Sequence, residues 1–279
     1  MNTQSDPPEE LQRGTAALVI ARAIRNDIES GRLVHGRQLP GTRSLAESWN
    51  TSVATINRAM AMLAEEGLVI NRARSSRIVH NPAAETDRRG PRVILVGGYP
   101  GSGKTELGRI IARQTGWAIL DKDTTTRPVV EAALEHLGHS PHDRESETYL
   151  TIIRPAEYEA LMATLDENLQ CGASVVVTAP FLRELNDQAW CDRLAATVAA
   201  HNGSLQVVWV YCDALTMHTY IRRRGAARDE SKLAKWNEYV GLLDLAFAPK
   251  VPHARVDNSA GARPLQEQAK ELLGKVAAL

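Results

Sequence analysis

Arg92-Val93-Ile94-Leu95-Val96-Gly97-Gly98-Tyr99-Pro100-Gly101-Ser102-Gly103-Lys104-Thr105 runs from an apolar segment into a full match to G-x-x-x-x-G-K-[ST], from Gly98 to Thr105. Arg92 to Val96 reads as a buried strand, and Glu106 to Gln114 as a helix with Leu107, Ile110 and Ile111 on one face. The glycines let the backbone curl until successive N–H groups, that of Ser102 among them, point inward at the positive end of the following helix. Phosphate oxygens fit such a cradle. Lys104 is placed to reach β- and γ-phosphates, and the Thr105 hydroxyl to sit on Mg²⁺. Gly98, Gly101, Ser102, Gly103, Lys104 and Thr105 are therefore the expected ATP-binding set.

Outward from this loop, strands alternate with helices: Val93 to Val96, Trp117 to Leu120, Ser174 to Val177, Leu205 to Tyr211, and a short one near Ala254 to Val256. That alternation predicts a parallel sheet with helices on both faces and a site at the carboxyl ends of the strands. The second of these strands runs into Asp121-Lys122-Asp123-Thr124. Two carboxylates at i and i+2 suit Mg²⁺ binding through water or proton removal from an acceptor hydroxyl; alternatively, Asp123 caps the next helix. The third ends in Thr178-Ala179-Pro180-Phe181, without the Walker B aspartate of a P-loop ATPase. Its absence argues against a motor or ring ATPase and less against a small-molecule kinase. Further on, Arg224 and Arg228 are four apart and share a face if helical, either closing over ATP or forming a solvated surface. Arg154, opening a helix, either binds an anionic group on an acceptor or forms a surface ion pair. Asp257, after the last strand, is positioned to touch an adenine.

At 279 residues, with 43% hydrophobic and 24% charged residues, the chain is long enough for two globular domains. No apolar run approaches membrane-spanning length, and Met1 to Glu10 is polar and acidic rather than signal-like. No membrane partner is expected. Cys171, Cys191 and Cys212 are widely spaced and lack C-x-x-C, which argues against structural zinc and fits a reducing cytoplasm. All three read as buried, inert thiols. The net charge of zero hides an asymmetry: between Leu11 and His80, ten arginines face five acidic residues. A basic module attached to a neutral one suggests that the first meets a polyanion. Residues 81–91, bounded by prolines and poor in large apolar residues, read as a linker between domains at 11–80 and 92–279.

Within the first domain, Leu18, Ile20, Ala21, Ile24 and Ile28 form a helical stripe ending at Ser30-Gly31. Thr42 is a plausible N-cap for Arg43 to Trp49, and Val53 to Glu66 is a third helix with Val53, Ile56, Ala59, Met60 and Leu63 inward. Leu68 to Ile70 and Arg77 to Val79 then form a hairpin. This is the plan of a winged helix-turn-helix. Gly31-Arg32-Leu33, Leu39-Pro40-Gly41-Thr42-Arg43-Ser44-Leu45-Ala46, and Thr55-Ile56-Asn57-Arg58-Ala59-Met60 through Glu66-Gly67-Leu68-Val69 resemble the GntR family of bacterial repressors. The resemblance implies double-stranded operator DNA as partner, a homodimer, and DNA-facing Arg43, Ser52, Thr55, Asn57 and Arg58, with Arg72, Arg74 and Arg77 on the wing. Two departures, Val53 where the family usually has arginine and Ser75-Ser76 where the wing usually has glycine, shift base readout towards Arg43, Asn57 and the wing arginines.

From Val93 to Leu273 the chain resembles shikimate-, gluconate- and zeta-toxin-like P-loop kinases of the AAA ATPases. The shared elements are Asp121-Lys122-Asp123, Arg154-x-x-Glu157-Tyr158, Ala179-Pro180-Phe181, and a lid carrying Arg224, Arg228, Asp229, Lys232, Leu233, Trp236 and Tyr239. By that resemblance Lys104, Asp121, Asp123, Arg224 and Arg228 are catalytic, and Thr105 and Asp121 hold Mg²⁺. Asp123, Arg154 and Tyr158 then bind a small-molecule acceptor. The fold class expected is α/β: an N-terminal winged helix-turn-helix plus a parallel-sheet, kinase-like P-loop domain. Three functions fit: a cytoplasmic, nucleoid-associated transcription regulator sensing Mg·ATP and a small hydroxylated ligand, a small-molecule kinase regulated by its winged helix, or a toxin-like kinase controlling its own operon.

Overall fold

The computed structural model describes residues 9–72, 76–81 and 90–277. The chain divides into two compact units, Met1–Arg89 and Gly90–Leu279. In the first, helix α1 (Glu9–Glu29) stops near Gly31, whose φ of +79° suits glycine. Helix α2 (Thr42–Ser48) and helix α3 (Val53–Glu65) follow. The Ser52 hydroxyl caps α3 by accepting from Thr55 N at 3.1 Å. Thr42 does not cap α2: Gly41 holds that position, and the Thr42 hydroxyl is taken by a side chain from the hairpin. Strands β1 (Val69–Arg72) and β2 (Ser76–Val79) pair antiparallel with Val69 opposite Val79. Residues 73–75, including Arg74, and 82–89 of the expected linker lie outside the described residues.

The inner face of α1 is Ala17, Ile20, Ala21, Ile24 and Ile28, packed on Leu45, Ile56, Ala59, Met60 and Leu63. Two expected core residues are corrected. Leu18 is 55% exposed, one position off the true stripe, and Val53, in the first turn of α3, is 44% exposed.

The second unit is built on β3 (Arg92–Gly98), β4 (Ala118–Asp121), β5 (Val175–Thr178), β6 (Ser204–Tyr211) and β7 (His253–Asp257). They form one sheet of order β4-β5-β3-β6-β7, every neighbouring pair parallel. Side chains alternate across it, as the pleat requires. Val93, Leu95, Val175, Val177, Val207 and Trp209 face Leu161, Leu165 and Leu169 of α6 (Arg154–Gln170) and Leu194 and Val198 of α7 (Gln188–Ala200). Ile94, Val96, Val176, Val208 and Val210 face Leu107 and Ile111 of α4 (Lys104–Thr115) and Ala269 and Leu272 of α11 (Leu265–Ala277). The remaining helices are α5 (Lys122–His136), α8 (Ala214–Arg224), α9 (Glu230–Ala234) and α10 (Trp236–Gly241).

Cys191 and Cys212 are buried, and burial pushes the Cys212 thiol up to about 12. Cys171 is exposed, in the turn after α6, so the expectation of three buried thiols fails there. Among the described residues no helix is long and apolar enough to cross a membrane.

Leu161 is fully buried between α6 and the sheet. Leu161→Ala should cost about 2–5 kcal/mol through lost transfer energy and the cavity left behind. Urea unfolding followed by tryptophan fluorescence checks this.

Candidate functional site

The central strand β3 ends in the glycine loop, and α4 begins at Lys104 directly beyond it. Gly101 and Gly103 have φ of +80° and +94°. Substitution is also blocked by space, since a Cβ on Gly101 would lie 2.6 Å from Ile221 Cγ1 and one on Gly103 2.2 Å from Asn258 Nδ2. Asn258 donates to Ser102 O at 3.0 Å, pinning the loop to the chain after β7. Lys104 Nζ donates to the Tyr99 carbonyl at 2.9 Å. Ser102 Oγ is buried and without a hydrogen-bond partner among the described residues.

Beside the loop lies Asp121, the last residue of β4. Its Oδ2 accepts from Thr105 Oγ1 at 2.9 Å and from Thr178 Oγ1 at 2.6 Å, and its Oδ1 accepts from Thr124 N at 2.9 Å. The N-cap of α5 is therefore Asp121, not Asp123. Register places Asp121 opposite Thr178, the residue at the position where a Walker B aspartate is absent, and that threonine donates to Asp121. Hard oxygen donors at Thr105 and Asp121 suit Mg²⁺, which keeps several waters and takes its remaining ligands from phosphate. The unpartnered Ser102 hydroxyl and the curled loop fit the phosphates that would come with it. Among the described residues no group of three or more His, Cys, Asp or Glu converges on a metal position.

Next to Asp121 is a buried polar network. Lys122, 5% exposed, lies 2.6 Å from Glu157 Oε1, and Glu157 is 4% exposed. Glu157 Oε2 accepts from the Tyr149 hydroxyl at 2.7 Å, and Asp123 Oδ1 lies 3.1 Å from Lys122 Nζ. Burial holds the Tyr149 phenol well above the usual range. Arg154, at the start of α6, pairs with Glu184 at 2.8 Å and stacks 4.5 Å above the Tyr158 ring. Tyr158 is buried, and its hydroxyl accepts from Phe181 N at 3.2 Å. The structure thus brings Asp121, Asp123 and Arg154 to one edge of the sheet. Lys122, Glu157 and Glu184 were not singled out from the sequence, although two of them lie inside quoted motifs; Glu184 carries no local signal.

The lid differs from expectation. Helix α8 stops at Gly225, with φ of +60°, so Arg224 and Arg228 do not share a helix face. Arg224 Nε donates to the buried Asp229 at 3.0 Å, and Lys232 lies 3.5 Å from the same carboxylate. Arg228 lies in the turn Ala227–Asp229, and its side chain is outside the described residues. Asp257 Oδ1 accepts from Ser259 N at 2.9 Å, engaged in its own turn, while the neighbouring Asn258 is the residue that reaches the loop.

In the first unit, Arg43, Ser52, Asn57, Arg58 and Arg72 are exposed. Thr55 is not available to DNA: it is 5% exposed, with its hydroxyl 2.8 Å from Ser52 Oγ. Arg77 is engaged within the unit, donating to Thr42 Oγ1 at 2.8 Å and to Asn57 Oδ1 at 3.0 Å. It ties the hairpin to α2 and α3.

A family profile described as "AAA domain" matches residues 93–244, and one described as "Bacterial regulatory proteins, gntR family" matches residues 16–79. A shikimate kinase from Moorella thermoacetica is 32% identical over 105 residues, 36% of this chain and 57% of that protein. The HTH-type transcriptional regulator GgaR of Escherichia coli is 43% identical over 49 residues, 18% of this chain and 20% of that protein. The chain thus spans a little over half the length of the first relative and a fifth of the second. A solved structure of APS kinase from Mycobacterium tuberculosis superposes with a TM-score of 0.45 at 18% identity, covering 68% of this chain and 99% of that one.

Removing one partner of the buried Lys122–Glu157 pair leaves an uncompensated charge. Lys122→Met should destabilise the protein by about 3–5 kcal/mol, and adding Glu157→Met should recover only part of that loss, because the buried Tyr149 hydroxyl then loses its acceptor. Urea unfolding at neutral pH reads both; equal stability of Lys122→Met and the parent would contradict it.

Proposed function

This chain belongs to the AAA-domain family and carries a gntR-family DNA-binding domain, and we propose that it is a transcription regulator whose kinase-like P-loop unit binds Mg·ATP and a small hydroxylated ligand. Occupancy of that unit then shifts affinity for a double-stranded operator, which requires only that the ligands bind two states of the protein unequally. The observation that carries this reading is the Asp121 carboxylate accepting from Thr105 and Thr178 beside the glycine loop. In it, Gly98 to Thr105 cradle the phosphates, Thr105 and Asp121 hold Mg²⁺, and Lys104 leaves the Tyr99 carbonyl for phosphate oxygen. Mg²⁺ would neutralise charge on the β- and γ-phosphates. Arg43, Arg58 and Arg72 are the exposed cations of the operator surface, and Arg77 positions Asn57. A homodimer fits an operator of two half-sites.

A second reading, phosphoryl transfer, is favoured by Asp123, which is half-buried beside the Lys122 ammonium at 3.1 Å. There the acceptor oxygen would bond to the γ-phosphorus as the β–γ bridge breaks, ADP would leave, and Asp123 would take the hydroxyl proton. Release of ADP only when an acceptor is added would support this second reading.

With Mg·ATP at 100 times its Kd, the folded state should gain about 2.7 kcal/mol, seen as a raised thermal midpoint. Lys104→Ala should abolish that gain. Asp121→Asn should remove the effect of Mg·ATP on operator affinity while leaving apo affinity unchanged, and Arg58→Ala should lower the salt slope of DNA binding by about 1. Absence of a sequence-specific shift with DNA upstream of its own gene, at moderate salt, would sink the regulator reading.

A further inference from the structure

Resting on the reading that a hydroxylated ligand sits beside the P-loop, we infer that this ligand carries no anionic group. Its subsite is built for an uncharged polyol, sugar or nucleoside moiety. Two cations, Lys122 and Arg154, reach the carboxyl edge of the sheet next to Asp121, and both are already held by carboxylates. Lys122 Nζ lies 2.6 Å from Glu157 and 3.1 Å from Asp123, and Arg154 Nη2 lies 2.8 Å and 3.0 Å from the two oxygens of Glu184. Three carboxylates thus engage these two cations, while Arg144, 5.1 Å from the centroid of the Tyr149 ring, donates to the Pro141 and Asp143 carbonyls. Lys122, Glu157 and Glu184 are all buried, so solvent screens their charges little.

Glu184 is held in place independently of any ligand. It lies in the short turn Glu184–Asn186 after β5, three residues beyond Phe181, a fully buried residue with φ of +52° whose N–H donates to the Tyr158 hydroxyl. The Arg154 guanidinium lies against the ring of that same tyrosine. A carboxylate or phosphoryl group brought to Arg154 would meet Glu184 on the same guanidinium, and like charges so placed repel. A hydroxyl meets no such penalty. It can accept from Arg154 Nε or Nη1, since the Glu184 contact runs through Nη2, and donate its own proton to a carboxylate.

Inorganic sulfate serves as the anion probe, titrated by calorimetry into full-length Lys104→Ala, which removes the loop's own ammonium. At millimolar sulfate that protein should show no binding that depends on Arg154. Adding Glu184→Gln should create a site at least about tenfold tighter than any in the parent, and adding Arg154→Met to that variant should remove it. Saturable sulfate binding by Lys104→Ala that Arg154→Met abolishes would overturn the inference, as would Glu184→Gln leaving affinity unchanged. If Glu184→Gln does not fold, the comparison of Lys104→Ala with and without Arg154→Met decides the matter. Loss of the Mg·ATP stabilisation in the unsubstituted protein would instead count against the ATP-site reading, which the sulfate titration does not use.

Discussion

The carboxylate of Asp121 ties together three elements that are distant in sequence. It ends β4, caps α5 through Thr124 N, and accepts hydrogen bonds from the hydroxyls of Thr105 at the start of α4 and Thr178 at the end of β5. A carboxylate with several donors is satisfied without a counter-ion, so it can rest at the sheet edge in the absence of metal. The same oxygen, Oδ2, is the one that both hydroxyls address, which fixes it beside the glycine loop. That contact ties the start of α4, and hence Lys104, to the edge strand, and Asn258 ties Ser102 to the chain after β7.

Much of this was legible because it is local. The glycine loop is a contiguous motif, and the strands announce themselves by apolar runs at regular intervals. Strand ends slipped by a residue: β4 and β5 end at Asp121 and Thr178, which pair in parallel register, a relation no single segment encodes. For the same reason the sequence pointed to Asp123 as the cap of the helix, where the structure has Asp121, the strand's last residue. Contacts such as Arg154 with Glu184 and Asn258 with Ser102 join residues 30 and 156 positions apart and arise only from the order of strands in the sheet. The shared face expected for Arg224 and Arg228 failed because Gly225 takes a left-handed conformation and ends the helix between them.

The DNA-binding unit makes a related point about arginine. Ten arginines read alike as positive charge, yet those among the described residues differ in their surroundings. Arg43, Arg58 and Arg72 are exposed. Arg77 spends its donors on Thr42 and Asn57, fixing the angle between hairpin and α3. Its planar guanidinium can address two elements at once, which a lysine cannot do with comparable geometry. Thr55, read as a DNA contact, is instead part of the cap that starts α3.

Four cations of the P-loop unit are engaged within the protein: Arg224 with Asp229, Arg154 with Glu184, Lys122 with Glu157, and Lys104 with the Tyr99 carbonyl. An enzyme selected only for transfer rate gains from cations aimed outward at the phosphates before they arrive. In the proposed reading a nucleotide would draw Lys104 away from the Tyr99 carbonyl, so the empty and filled states would differ in their internal bonding as well as in occupancy. Arg224, if drawn to phosphate as the resemblance implies, would leave the buried Asp229 with Lys232 as its charged partner among the described residues. Two states distinguished by an exchange of ion pairs are what ligand sensing requires, since a ligand shifts an equilibrium only through its unequal affinity for them.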